Sequence, residues 1–268
     1  MIENNKNIKI ISNKNPKSLL PNTLTIIGVC FGISSIKFAF DGLYGAAIIS
    51  LTIAAILDSL DGRVARLIKG TSKVGKELDS LTDVISFGVA PGFVMYFWTI
   101  KDLGKIGWLF VLIYAVCCAL RLARFNLTSV EVTDEWKNNF FEGVPSPAGA
   151  GLVLLPLILD LSGIYIFQNS SIISVSLMFL TSILMVSKTP TYSAKRIYIP
   201  RKLGVFLLLG IGIYFGLLLT YTFKTLFFTG VIYIISIPIS LIHFIIISKR
   251  NSSTSKSFNE DLDNEDIL

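Results

Sequence analysis

Charged residues are scarce in this sequence. Asp, Glu, Lys and Arg together make up 16% of the 268 residues, whereas hydrophobic residues make up 52%. The mean hydropathy is +0.67, which is too apolar for an ordinary water-soluble globular protein of this length. The shortage of charge therefore argues against a soluble enzyme, and we expect lipid to be the solvent of most of the chain.

Histidine and cysteine are also nearly absent. The single histidine, His243, lies near the end of the last apolar run, which excludes a nucleophile pair built on histidine and a histidine-rich metal site. The three cysteines lie in apolar stretches. An odd number without framework spacing argues against a disulfide scaffold or a zinc site. Any acid–base or metal chemistry must therefore come from carboxylates.

Long apolar runs dominate the rest of the chain. A bilayer core takes about 20 apolar residues as a helix. Eight runs fit, at about residues 20–40, 43–66, 74–100, 106–124, 146–167, 171–187, 203–222 and 226–248. The sequence therefore predicts an all-α integral membrane protein with about eight transmembrane helices.

Composition also predicts how the chain is divided. Residues 1–19 are polar and form a cytoplasmic N-terminal arm, and residues 20–187 form the transmembrane core. Residues 188–250 add a two-helix transmembrane segment, and the Ser-rich and acidic residues 251–268 are predicted to be a disordered cytoplasmic tail. Pro156 and Pro238 are expected to kink their helices.

The basic residues indicate the orientation. With the N-terminus in the cytoplasm, 20 of the 24 Lys and Arg residues fall on the inner side, as the positive-inside rule requires. The net charge of +6 is thus explained by topology, without nucleic acid. We expect a multi-pass protein of the cytoplasmic membrane, with both termini and the active site facing the cytoplasm.

Four aspartates are the most informative residues. Asp58 and Asp61 are three residues apart, while Gly75, Asp79 and Asp83 are spaced by four. Each set therefore lies on one stripe of its helix. A short basic turn connects the two helices, so we expect both stripes to converge on one cavity.

Converging carboxylates in a membrane need a partner. Each costs about 2.5–3.5 kcal/mol near the bilayer centre on insertion scales, and four together repel one another. Divalent Mg²⁺, Mn²⁺ or Ca²⁺ would neutralise them, and two such ions about 3.5–4 Å apart suit phosphoryl chemistry. Alternatively, the aspartates lie at the interface and pair with nearby basic residues.

The complete pattern is D-x2-D-G-x2-A-R-x8-G-x3-D-x3-D, from Asp58 to Asp83. It resembles the signature of the CDP-alcohol phosphatidyltransferases. The resemblance implies that a pair of divalent cations is held by Asp58, Asp61, Asp79 and Asp83. It also implies that Asp83 is the general base. The residues that would border the CDP group are Gly62, Ala65, Arg66 and Gly75. A six-helix core, with two C-terminal helices added, and a homodimer are further expectations.

Four further segments narrow the resemblance. They are PNxLT at residues 21–25, SFGVAP at residues 86–91, RLARFN at residues 121–126 and FxGxPSPA at residues 141–148. Together they resemble the CDP-diacylglycerol–serine O-phosphatidyltransferases over residues 18–190. The implied substrates are CDP-diacylglycerol and L-serine, and the implied products are phosphatidylserine and CMP.

Candidate acceptor residues follow from charge and position. Arg121 and Arg124 are one helical turn apart, and a guanidinium can bind the carboxylate of serine with two hydrogen bonds. Asn126 could bind the serine ammonium or cap its helix, and Ser146 is expected near the site between two prolines. Asn22 could contact the nucleotide or cap the first helix. Both arginines could instead be topological anchors or contact lipid phosphate.

Two other functions remain open from the sequence. The same chemistry could use glycerol phosphate, inositol or inositol phosphate as acceptor, although a phosphorylated acceptor should require a denser basic pocket. A polytopic transporter also has acidic residues in its helices, but usually near the midplane. Here the acidic residues cluster at the predicted cytoplasmic ends of two spans, which favours the enzyme.

Overall fold

The computed structural model describes residues 19–68, 73–128, 140–164, 170–192 and 204–265. Most of the predicted N-terminal arm and the last three residues lie outside these ranges. In the described chain the N-terminal half is helical. Its helices are α1 (Leu19–Phe40), α2 (Tyr44–Leu67), α3 (Lys73–Asp83), α4 (Ala90–Trp98) and α5 (Gly104–Thr128). A π-helical turn, Val84–Val89, joins α3 to α4, and a 3₁₀ turn, Ile100–Leu103, precedes α5.

The C-terminal half adds shorter helices and one small sheet. Its helices are α6 (Ser146–Val153), α7 (Leu155–Leu161), α8 (Ser170–Val186), α9 (Gly204–Thr220) and α10 (Thr222–Glu265). Strands β1 (Phe140–Glu142) and β2 (Pro190–Tyr192) pair antiparallel, with Phe141 opposite Thr191. These three-residue strands do not change the class, and the all-α membrane protein predicted from the sequence is confirmed.

The helical segments coincide with the eight predicted apolar runs. Within the described ranges, five are long and apolar enough to cross a membrane: 20–40, 44–67, 74–98, 100–127 and 222–247. The helices at Ser171–Val186 and Gly204–Thr220 are apolar but shorter. The run at 146–167 is divided into α6 and α7 at Leu154. Pro156, which cannot donate a backbone hydrogen bond, explains this interruption.

The last helix is longer than its apolar part. The sequence predicts that the membrane span ends near residue 248, but α10 continues to Glu265. It thus covers most of the stretch expected to be a disordered tail. That stretch contains no glycine or proline that would end a helix. Pro238 lies inside this helix, which continues on both sides of it.

The buried core lies between α1, α2, α4, α5, α6, α7 and α8. Its fully buried side chains include Ile48, Met95, Tyr114 and Met178. By contrast, α9 has no buried residue, and its exposed leucines and phenylalanines are what a helix surrounded by lipid requires. The core therefore holds these helices together, while α9 lies at the periphery.

A glycine fixes the connection between β1 and α6. Gly143 has a φ of +76°, and a Cβ at this position would lie 2.7 Å from the carbonyl oxygen of Met185. Its own carbonyl accepts a hydrogen bond from the Thr191 hydroxyl at 2.8 Å. The glycine in the FxGxPSPA segment is therefore required by the backbone conformation and by the close approach of α8.

We expect Gly143→Ala to destabilise the protein more than Gly163→Ala. Both glycines have positive φ, which costs an alanine about 1–2 kcal/mol, but a Cβ at Gly163 meets no atom within 4 Å. Overpacking against the α8 carbonyls should add about 1–3 kcal/mol at Gly143. Thermal unfolding of both variants in detergent measures the difference, and equal losses would contradict the close approach.

Candidate active site

Three aspartates form a compact cluster between α2 and α3. One carboxylate oxygen from each of Asp58, Asp61 and Asp79 lies within 4.8 Å of those of the other two. Asp61 is buried, with 4% of its surface exposed, and the other two are half-buried. The two helical stripes therefore converge as their spacing predicts. Oxygen ligands at this separation fit a hard divalent cation, which would also remove their mutual repulsion.

Asp83 extends the cluster into the protein. Its side chain lies close enough to that of Asp58 for the two carboxyl groups to interact. Its Oδ1 is buried without a hydrogen-bond partner in the described chain. A buried acceptor of this kind is costly unless another group satisfies it. Asp83 thus lies beside Asp58 with one buried oxygen left unused.

The first helix contributes a residue that the sequence analysis did not assign. Thr25 is buried and its Oγ1 donates a hydrogen bond of 2.6 Å to Oδ2 of Asp61. This bond holds the Asp61 carboxylate and leaves its other oxygen for a ligand. Thr25 is the last residue of the PNxLT segment, and its place in that segment is the only sequence feature that could have indicated a role at the site.

Asn22 lies one turn before Thr25 on α1. The helix begins at Leu19, so Asn22 lies within its first turn. It therefore does not cap the helix, which was one of its two expected roles. The spacing of three residues places it on the same face as Thr25, which is the face that contacts Asp61. The position is compatible with a role in nucleotide binding, which stays a prediction.

Small residues of the signature lie where α2 ends. Gly62 is exposed, and a Cβ there would meet no atom within 4 Å, while Ala65 is half-buried. Arg66 is also exposed and donates a hydrogen bond of 3.1 Å from Nε to the Gly62 carbonyl. Gly75 is half-buried near the start of α3. The space beside the carboxylates is therefore open at this end, where the resemblance predicts the CDP group.

Arg121 lies close enough to Asp83 for their charges to interact. It is buried, with 8% of its surface exposed, and its Nη1 donates a hydrogen bond of 2.8 Å to the Ser146 hydroxyl. Its guanidinium carbon is 5.5 Å from the centre of the Phe125 ring. The charges of Arg121 and Asp83 attract each other. Two of the predicted acceptor residues, Arg121 and Ser146, are thus brought together beside the predicted base.

The other two predicted acceptor residues make contacts between helices. Arg124 donates hydrogen bonds to the carbonyl oxygens of Val186 at 2.7 Å and Ser187 at 3.1 Å. These carbonyls end α8, where a cation is favourable. Asn126 donates a bond of 2.9 Å to the Ser80 hydroxyl on α3. Both side chains therefore connect helices that carry the site. Their observed contacts are structural, and a role in acceptor binding stays a prediction.

The SFGVAP segment covers the last four residues of the π-helical turn Val84–Val89, which follows Asp83, and the first two residues of α4. Pro91 has no N–H to donate to the Phe87 carbonyl four residues earlier, and that oxygen accepts a hydrogen bond of 2.7 Å from the buried Tyr114 hydroxyl. A Cβ at Gly88 would lie 3.0 Å from the Cβ of Cys118 on α5. The irregular turn is therefore held by α5, and π-helical turns often occur at functional sites.

Comparison with known families agrees with this geometry. The sequence model described as CDP-alcohol phosphatidyltransferase matches residues 18–190, which contain every residue of the cluster. The chain belongs to the CDP-alcohol phosphatidyltransferase family. A second model, described as CDP-alcohol phosphatidyltransferase 2, matches residues 202–238. The family match therefore includes α9 and the first part of α10, to which the sequence analysis assigned no motif.

Individual relatives are similar over much of the chain. A CDP-diacylglycerol–serine O-phosphatidyltransferase of Mycobacterium leprae is 40% identical over 183 residues, which is 68% of this chain and 61% of the relative. One of Helicobacter pylori is 37% identical over 201 residues, 75% of this chain and 83% of the relative. An archaetidylserine synthase of Methanothermobacter thermautotrophicus is 36% identical over 174 residues, 63% of this chain and 67% of the relative. The aligned part is thus less than two thirds of the length of the mycobacterial relative.

Proposed function

We propose that this protein transfers the phosphatidyl group of CDP-diacylglycerol to the hydroxyl of L-serine and releases CMP. The observation that carries the proposal is the placement of the buried Arg121 near Asp83, the last aspartate of a CDP-alcohol phosphatidyltransferase signature. The cluster suits phosphoryl chemistry, and the guanidinium suits an acceptor with a carboxylate. The names of all three relatives described above refer to serine or a serine product.

The aspartate cluster is proposed to hold two divalent cations, Mg²⁺, Mn²⁺ or Ca²⁺. Asp58, Asp61 and Asp79 would hold them, and Asp83 would complete the site through its unpartnered Oδ1. When bound, such a pair supplies positive charge for the phosphate oxygens in the transition state. Thr25 would keep the Asp61 carboxylate in its ligating orientation.

Asp83 is proposed to be the general base. Its carboxylate accepts the proton of the serine hydroxyl while the serine oxygen forms a bond to the β-phosphorus of CDP-diacylglycerol. The bond between this phosphorus and the oxygen of CMP breaks in the same step. We favour this direct displacement over a phosphatidyl-aspartate intermediate, because a carboxylate bound to metal is a weak nucleophile. Gly62, Ala65, Arg66, Gly75 and Asn22 are proposed to border the nucleotide.

One assay tests the proposed reaction. Purified protein in mixed micelles is given CDP-diacylglycerol with L-serine, glycerol 3-phosphate, inositol or inositol phosphate, and CMP release is measured with and without chelator. We expect serine to be used best and the chelator to stop turnover. Preference for another acceptor would replace serine in the proposal, and no CMP release with any acceptor would contradict the enzyme activity itself.

Arg121→Lys is expected to raise the KM for serine and leave the KM for CDP-diacylglycerol nearly unchanged. Lysine keeps the charge but cannot form two parallel hydrogen bonds to a carboxylate. Loss of one charge-assisted contact costs about 1.5–3 kcal/mol, or about ten- to a hundredfold in kcat/KM. Steady-state kinetics with each substrate varied in turn measures the effect.

Arg124→Lys provides the matched control. It alters a guanidinium one turn away that donates to the end of α8, so it should lower thermal stability more than it changes the KM for serine. An equal rise in the serine KM of both variants would show that Arg124 also binds the acceptor. An effect of Arg121→Lys on CDP-diacylglycerol alone would make Arg121 a lipid contact.

The active site is proposed to face the cytoplasm, at the cytoplasmic membrane. A cysteine replacing Thr71, in the basic connection outside the described residues, should react with an impermeant reagent only from the cytoplasmic side. A cysteine replacing Lys105, at the start of α5, should react only from the outer side. Labelling of the Thr71 position from outside would reverse the orientation.

The family resemblance also leads us to propose a homodimer. Light scattering of the detergent-solubilised protein, with the detergent mass subtracted, gives the number of chains per particle. A mass of two chains is expected, and a mass of one chain in detergents that preserve CMP release would contradict the dimer.

A further inference from the structure

The inner face of α10 brings a tyrosine to the acceptor side of the site. Tyr233 packs against the buried core, and its hydroxyl is buried without a hydrogen-bond partner of normal geometry in the described chain. The side chains of Thr191 and Arg121 lie close enough to interact with it. The Thr191 hydroxyl donates its hydrogen to the Gly143 carbonyl, so towards Tyr233 it could only accept. No such bond of normal geometry forms in the described chain, and the phenol hydrogen is left available to a ligand.

Arg121 has a similar unused donor. Its Nη1 is bonded to Ser146, but Nε is buried without a partner in the described chain. Leaving a buried donor unsatisfied is unfavourable, more so for a charged group. Two donors from different helices, one cationic and one neutral, are thus unpaired in the same region. A carboxylate has two oxygens that accept several hydrogen bonds and could satisfy both.

The position of α10 is fixed by the core. The helix packs against β2, α7 and α6. A Cβ at Gly230, one turn before Tyr233, would collide with the end of the Leu155 side chain, so α10 lies close to α7 at this point. Gly45 on α2 would bring a Cβ within 3.3 Å of the Phe223 ring, near the start of α10. The family match at residues 202–238 includes Tyr233. The tyrosine is therefore carried by a helix that packs closely on the core.

We propose that Tyr233 is an acceptor-binding residue, whose hydroxyl donates a hydrogen bond to the carboxylate of the amino-acid acceptor beside Arg121. The inference rests on the proposed function and deepens it, because it gives α10 a part in acceptor choice. An acceptor without a carboxylate cannot accept this bond in the same way. The pocket would thus recognise the acceptor from three helices, through Arg121 on α5, Ser146 on α6 and Tyr233 on α10.

A purely structural role makes a different prediction. If Tyr233 only fills space or anchors β2 through Thr191, removal of its hydroxyl affects all acceptors equally. Tyr233→Phe keeps the ring and its packing, so the variant tests the hydroxyl alone. Tyr221→Phe is the matched control, since Tyr221 lies between α9 and α10 with 59% of its surface exposed.

The experiment compares L-serine with serine methyl ester, which keeps the hydroxyl and ammonium groups but lacks the carboxylate. We expect Tyr233→Phe to raise the KM for serine about tenfold, with little change for the ester and for CDP-diacylglycerol. The ratio of kcat/KM for serine to that for the ester should therefore fall about tenfold, whereas Tyr221→Phe leaves it unchanged. Because both acceptors are assayed in one preparation, this ratio does not depend on the fraction of folded enzyme.

The outcomes separate the two proposals. If the native protein uses serine and Tyr233→Phe leaves the ratio unchanged, the inference is wrong and the proposed function stands. If serine and ester activities fall together, the tyrosine is structural and the inference is also wrong. If the native protein releases no CMP with serine, the proposed function fails first, and the role of Tyr233 fails with it.

Discussion

Replacing Asp58, Asp61 or Asp79 by Asn is expected to reduce CMP release to below about one thousandth of the native rate. Each substitution keeps the size of the side chain and removes one anion from a cluster in which one oxygen of each residue lies within 4.8 Å of the others. A hard divalent cation binds a neutral amide less well than a carboxylate. The charge available to the transferred phosphate should be lost with it.

Binding and activity must be measured together for these variants. Mn²⁺ binding, followed by the loss of its free electron paramagnetic resonance signal, should weaken in each of the three. Asp160→Asn is the control, because Asp160 is an exposed aspartate on α7, and it should leave both quantities unchanged. Near-native CMP release in any variant of the cluster would remove that residue from the metal site.

Asp83→Asn should have the second largest effect, for a different reason. An amide cannot accept the proton of the serine hydroxyl, and loss of a general base typically lowers the rate by about 10²–10⁴-fold. Asp83 lies outside the three-residue group within 4.8 Å, so the loss of Mn²⁺ affinity should be smaller than for Asp58→Asn. The rate should therefore stay low even when Mn²⁺ is saturating.

Saturation with Mn²⁺ distinguishes a base from a ligand. If excess Mn²⁺ restores the rate of Asp83→Asn, the residue acts chiefly by holding the ion, and another group must accept the proton. Asp83→Glu offers a second comparison, since it retains a carboxylate with a longer side chain. Its rate should lie between those of the native protein and Asp83→Asn.

Much of the fold and the aspartate cluster could be predicted because both depend on local spacing. Apolar runs of about 20 residues predict helices in lipid, and the helical segments fall on them. The steps of three and four residues place Asp58 with Asp61 and Asp79 with Asp83. A short connection then leaves α2 and α3 antiparallel, which is enough to bring the two pairs together.

Contacts between distant segments could not be predicted in this way. Thr25 and Asp61 are 36 residues apart, and Arg121 and Arg124 differ in role because one faces Ser146 while the other meets the end of α8. Their spacing of three residues would also fit two side chains that bind the same ligand. The rotation of α5 against its neighbours decides between them, and it depends on the packing of the whole core.

The π-helical turn after Asp83 affects how this chain can tolerate changes of length. A π-helical turn contains more residues than the α-helical turn that could replace it, and each residue of an α-helix turns the chain by about 100°. Deleting one residue from Val84–Val89 could restore regular α-helical bonding. It would also rotate Asp79 and Asp83 about the axis relative to Gly88, which packs closely on Cys118. The more regular helix would then direct its carboxylates away from α2, so a gain in local regularity would cost the alignment on which the chemistry depends.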